Sequence, residues 1–131
     1  MKRRSVYFFI KRSQLIPEMM LFDWPEHLVS IGQRTSTTIA PQALMFMNSP
    51  QGRSYAESFA ASLSERTDAI DRAYRSAIGR EPSFDERKLA EAFLNGQAAE
   101  YRSAGRSGAE QVALADLCQA IFSMNEFVYV D

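Results

Sequence analysis

The sequence predicts a mainly α fold: an irregular bundle of about four to five helices, with a short β element contributed by the two chain ends. Three observations carry this. Apolar residues recur at helical spacing over most of residues 41–122. Ser, Pro and Gly punctuate those runs at positions suited to helix starts and stops. The termini, "SVYFFI" and "EFVYV", are dense in β-branched and aromatic residues.

The first element is a strand over Ser5 to Ile10. Both of its faces are apolar, so it reads as buried, with Arg3, Arg4, Lys11 and Arg12 marking where the chain surfaces. An export signal fits less well. It needs about 7–15 uninterrupted apolar residues followed by a small-residue cleavage site, and only Val6 to Ile10 qualifies before Lys11. Residues 15–24 then follow an irregular path, with Pro17 inside it and Pro25 just beyond. Leu15, Ile16, Met19, Met20, Phe22 and Trp24 give this stretch enough apolar surface to wrap onto a core or to form a docking surface.

Helices take over at Pro41. "PQALMFMN" is a short helix ending near Asn48, after which Ser49 as N-cap and Pro50 as first helical residue open the next. Tyr55, Ala56, Phe59, Ala60 and Leu63 share one face of that helix. From Thr67, Ile70, Ala73, Tyr74, Ala77 and Ile78 form another stripe, closed by Gly79. "SFDE", Ser83 to Glu86, is a capping box, and the helix it opens is expected to turn Leu89, Phe93 and Leu94 to the core. The far end of that helix is left open by Gly96, Gly105 and Gly108. Leu114, Leu117, Cys118, Ile121 and Phe122 make the clearest stripe of all. After Asn125 the run "EFVYV" is expected to be a strand lying near the first.

Composition bounds the function. At 131 residues, 46% hydrophobic and 24% charged, the chain is one domain's worth of ordinary globular protein, expected to form a single helical domain over 1–131. A net charge of −1 creates no global field favouring nucleic acid or an anionic membrane. No apolar run approaches the roughly 18 residues that span a bilayer. One cysteine, Cys118, rules out an internal disulfide, and its place in an apolar stripe makes it core filler.

Candidate chemistry is sparse. His27, the one histidine, lies near Asp23 and Glu26, but their spacing matches no closed metal site. No glycine-rich phosphate loop follows a strand, and no C-x-x-C-H attaches a haem. Asp68 to Leu94 has a helix–turn–helix outline, yet its second helix is acidic, so it reads as a plain αα-hairpin. The most suggestive polar group is Arg34 with Thr37, Gln42, Asn48 and Asp23. An arginine ahead of a hydroxyl-rich helix entry can hold an anion, and the same residues serve equally as caps and internal ion-pair partners.

Taken in order, "RRSVYFFIKR", "LFDWP", "RTSTTIAPQALMFMNSP", "AYRSAIGREPSFDE" and "ALADLCQAIFSMNEFVYVD" resemble one family across nearly all of the chain. It is the planctomycete-specific domain at the C-terminus of cytochrome-c-associated proteins, a family of unknown function. The resemblance implies exported proteins with a c-type cytochrome domain upstream, and it assigns no catalytic residue. Against that pattern the chain shows no signal peptide and no cytochrome of its own, so it is expected to be the C-terminal portion of a larger family domain.

Three functional expectations follow. The first is a non-catalytic interaction or scaffolding module without a cofactor of its own, whose partners are the upstream domains of the family architecture or a second copy. The second is part of a carbohydrate- or anion-binding or hydrolytic site, with Arg34, Asp23, Gln42, Asn48 and Glu126 converging on a cleft. The third, nucleic-acid binding through Arg3, Arg4, Lys11 and Arg12, is disfavoured by the net charge of −1. Arg3 and Arg4 are instead expected to pair with Glu126 and Asp131.

Overall fold

The computed structural model describes residues 7, 11, 17–21, 32, 40–63 and 68–128. The chain divides into two compact units, Met1–Gln42 and Ala43–Asp131.

In the first unit, α1 (Pro17–Leu21) has a proline as its first residue, where the missing N–H costs no helical bond. The Gln42 side chain donates from Nε2 to the Leu21 carbonyl at 3.0 Å. It thereby satisfies a C-terminal carbonyl that α1 cannot pair internally. Tyr7 lies in a 3₁₀ turn and is 70% exposed, which does not fit a residue of a buried strand. The rest of the expected opening strand lies outside the described residues, as do Arg3 and Arg4.

Helix α2 (Ala40–Asn48) begins in the first unit and runs into the second. The break before α3 (Pro50–Leu63) is the expected one: Ser49 Oγ accepts from the Gly52 N–H at 2.9 Å, and Pro50 opens the helix. Gly52 is required by a close approach, because a Cβ there would stand 2.5 Å from the Phe46 carbonyl oxygen. Ala56, Ala60 and Leu63 are buried, whereas Tyr55 stays 46% exposed at the edge of the same face.

Helix α4 (Ala69–Ile78) stops at Gly79, whose φ of 78° is left-handed and whose N–H reaches the Arg75 carbonyl. Residues 79–83 lead into α5 (Phe84–Ser103), where both bonds of the capping box form. Ser83 Oγ accepts from the Glu86 N–H at 3.2 Å, and Glu86 Oε2 accepts from the Ser83 N–H at 2.7 Å. The helix continues through Gly96 for 20 residues. After a turn with Gly105 and Gly108 at positive φ, α6 (Ala109–Phe122) carries most of the core. It packs against α3 on one side and α5 on the other, with α4 touching all three. Leu114, Leu117, Cys118, Ile121 and Phe122 are all buried, as their spacing predicts.

Two expectations are corrected. Leu89 and Phe93 are 70% and 38% exposed, so the core-facing side of α5 is Ala90, Leu94, Ala98 and Tyr101. Both stripes keep helical spacing; α6 takes the one whose alanines let two helix backbones come close. The "EFVYV" segment is not a strand as far as it is described. Asn125–Val128 is a helical turn, α7, with the Phe127 and Val128 N–H groups bonded to the Met124 carbonyl. Phe127 stacks on Phe122 with centroids 4.8 Å apart and meets Phe46 edge-on at 5.5 Å. That aromatic contact outweighs the local β preference. Among the described residues no strand forms.

Candidate functional site

Among the described residues of the second unit, two polar clusters and an exposed apolar stripe on α5 stand out. The first cluster is centred on Arg80, in the turn that Gly79 opens. Its Nη1 and Nη2 donate to the two carboxylate oxygens of Glu86 at 2.8 and 2.7 Å. Nε and Nη2 donate to Glu126 at 2.7 and 2.8 Å, and Nη1 also reaches the Glu81 carbonyl at 3.1 Å. A guanidinium has five N–H donors, and all five are engaged. Its carbon also lies 5.8 Å from the centroid of the Tyr74 ring. The Arg80 pair, reinforced by the Ser83 N–H, draws the Glu86 carboxyl down to about 2. Glu126 is lowered by the same guanidinium, and Arg80 is raised by Glu86 and then Glu126. Glu126 is therefore the partner of Arg80, across the α4–α5 turn.

The second cluster joins α3, α5 and α6. Arg53 donates from Nη1 to Asp116 Oδ1 and to Gln119 Oε1, the latter at 3.2 Å, and from Nε to Glu57 at 2.9 Å. Tyr101 donates its hydroxyl to Asp116 Oδ2 at 2.6 Å. Gln119 turns its amide to the carbonyls of Phe46 and Met47 at 3.2 and 2.8 Å, capping the end of α2. The hydrogen bond to Asp116, with burial added, pushes the Tyr101 hydroxyl up. Burial opposes the charge on Arg53, but its bonds to Asp116 and Glu57 outweigh it and the guanidinium is raised.

Both clusters join helices of the second unit, and the Arg80 guanidinium has no donor left over. Their hydrogen bonds run to carboxylates and carbonyls of the same chain and brace the helices against one another. The buried Cys118 thiol is pushed up to about 12 by desolvation, so it is a neutral core group at physiological pH. Among the described residues, no group of three or more His, Cys, Asp or Glu could hold a metal ion, and no helix is long and apolar enough to cross a membrane.

The stripe is different in kind. Leu89, Ala92, Phe93 and Gly96 follow one another at i, i+3, i+4 and i+7 along α5 and are all exposed. A side chain built on Gly96 would meet nothing within 4 Å. Phe84, at the start of the same helix, is 81% exposed.

Of the residues singled out from sequence, Gln42 is buried and bonded to Leu21, and Asn48 is exposed at the last position of α2. Met19 and Met20 are half-buried on α1. Asp23, Arg34, Thr37, Leu15, Ile16, Phe22, Trp24 and His27 lie outside the described residues. Sequence reasoning missed Arg53, Arg80, Tyr101 and Asp116. Only the Arg53–Glu57 pair, four residues apart on one helix, left a local signal. Arg53 and Asp116 are separated by 63 positions, with no pattern joining them.

The model of one protein family, PSD1, described as a protein of unknown function (DUF1553), matches residues 1–94. No curated protein and no solved structure matches the chain.

Proposed function

This chain belongs to the PSD1 family of proteins of unknown function, and from that premise we propose that it is a non-catalytic helical interaction module. The single observation that carries the reading is the outer face of α5. Leu89 is 70% exposed and Phe93 38% exposed on a well-capped helix whose opposite face already serves the core. A contiguous apolar stripe on such a helix is a surface for another polypeptide. The polar clusters around Arg80 and Arg53 support the same reading, since their hydrogen bonds brace helices against one another.

The proposed partners are the upstream domains of the family architecture or a second copy of the chain. Motif resemblance to planctomycete cytochrome-c-associated proteins supports a setting beside a c-type cytochrome. The module supplies no cofactor ligand in this reading; it contributes shape and apolar surface.

The test is a light-scattering concentration series on the 131-residue chain, run beside binding of an apolar-surface dye. The wild-type chain is expected to bind the dye or to associate as concentration rises. Leu89→Glu and Phe93→Glu, both at exposed positions, are expected to abolish either behaviour while leaving the helical circular dichroism unchanged. A wild-type chain that stays monomeric, excludes the dye and responds to neither substitution overturns the proposal.

A further inference from the structure

We draw no further inference here: the strongest candidate, the outward apolar stripe of α5 formed by Leu89, Ala92, Phe93 and Gly96, is already the surface of the proposed docking role, and nothing in the structure shows what covers it.

Discussion

Arg80 grips Glu126 with two hydrogen bonds, Nε to Oε2 at 2.7 Å and Nη2 to Oε1 at 2.8 Å, across 46 positions of sequence. Its Nη1 and Nη2 also hold Glu86, so one side chain ties α7 to the N-terminus of α5. Both partners of the Glu126 pair are substantially exposed, at 38% and 51% of the side chain. Solvent and salt therefore screen it, and its effect is local rather than global.

Glu126→Gln is accordingly expected to loosen α7 while barely moving the global melting temperature. Hydrogen exchange at the Phe127 and Val128 amides, both bonded to the Met124 carbonyl, reads this directly. Raising the ionic strength of the wild-type protein should reproduce part of the effect. Unchanged exchange at those two amides in the variant would show that the aromatic stacking of Phe127 alone seats the turn.

The depressed Glu86 carboxyl makes a pH prediction. Its ordinary value is 4.5 and its folded value is about 2, so the unfolded chain takes up the proton first as the pH falls. The stability it contributes is fully present above about pH 4.5 and is lost progressively on the way down to about pH 2. The difference in melting temperature between the wild type and Glu86→Gln should be constant from pH 7 to 5 and should shrink below that window. A difference that instead grows on acidification contradicts the assignment.

Two glycines on different helices, Gly52 of α3 and Gly96 of α5, should respond in opposite directions to alanine. At Gly52 the new methyl would lie 2.5 Å from the Phe46 carbonyl oxygen, a backbone atom that cannot swing aside. Overpacking of that kind costs about 1–3 kcal/mol. At Gly96 nothing stands within 4 Å, so Gly96→Ala gains helix propensity alone, about 0.5–1 kcal/mol. Urea denaturation of the two variants checks both signs in one experiment.

Cys118 should be protected from thiol reagents in the native state. With the thiol pushed up to about 12 from an ordinary 9.0, the folded protein near pH 8 holds on the order of a thousandfold less thiolate than an exposed cysteine. Modification by a chromogenic disulfide should be slow in buffer and fast in denaturant. Rapid labelling of the folded chain would mean that α6 opens far more readily than its burial implies.

Much of the helical framework was legible in sequence because its signals are local. Ser49–Pro50, Gly79 and the Ser83–Glu86 box act within four residues of themselves, and each operates as its residue types predict. The α6 stripe is equally plain, since its five apolar residues at helical spacing are all buried. Gly96 was harder to place. Its unfavourable propensity is small against the remaining residues of α5, and the helix runs through it.

The candidate site was much less legible. The β-branched and aromatic residues near position 127 are a real local preference, but Phe127 is seated by Phe122 and Phe46, which the sequence does not mark as its neighbours. The same holds for the pairing of Arg53 with Asp116 and of Arg80 with Glu126. Charged residues are common on helix surfaces, and which of them meet depends on how the helices cross.

By itself, the sequence determined where α3 and α5 start and where α4 stops, that the α6 stripe is buried, and that Cys118 is core. These follow from capping chemistry and from the period of apolar residues, both short-range. Only the tertiary structure decided which of two apolar stripes on α5 is buried, that the chain turns helical at Asn125, and which carboxylates each arginine holds. Those outcomes depend on contacts between residues far apart in sequence. There the packing of one helix on another outweighs preferences that amount to a fraction of a kcal/mol per residue.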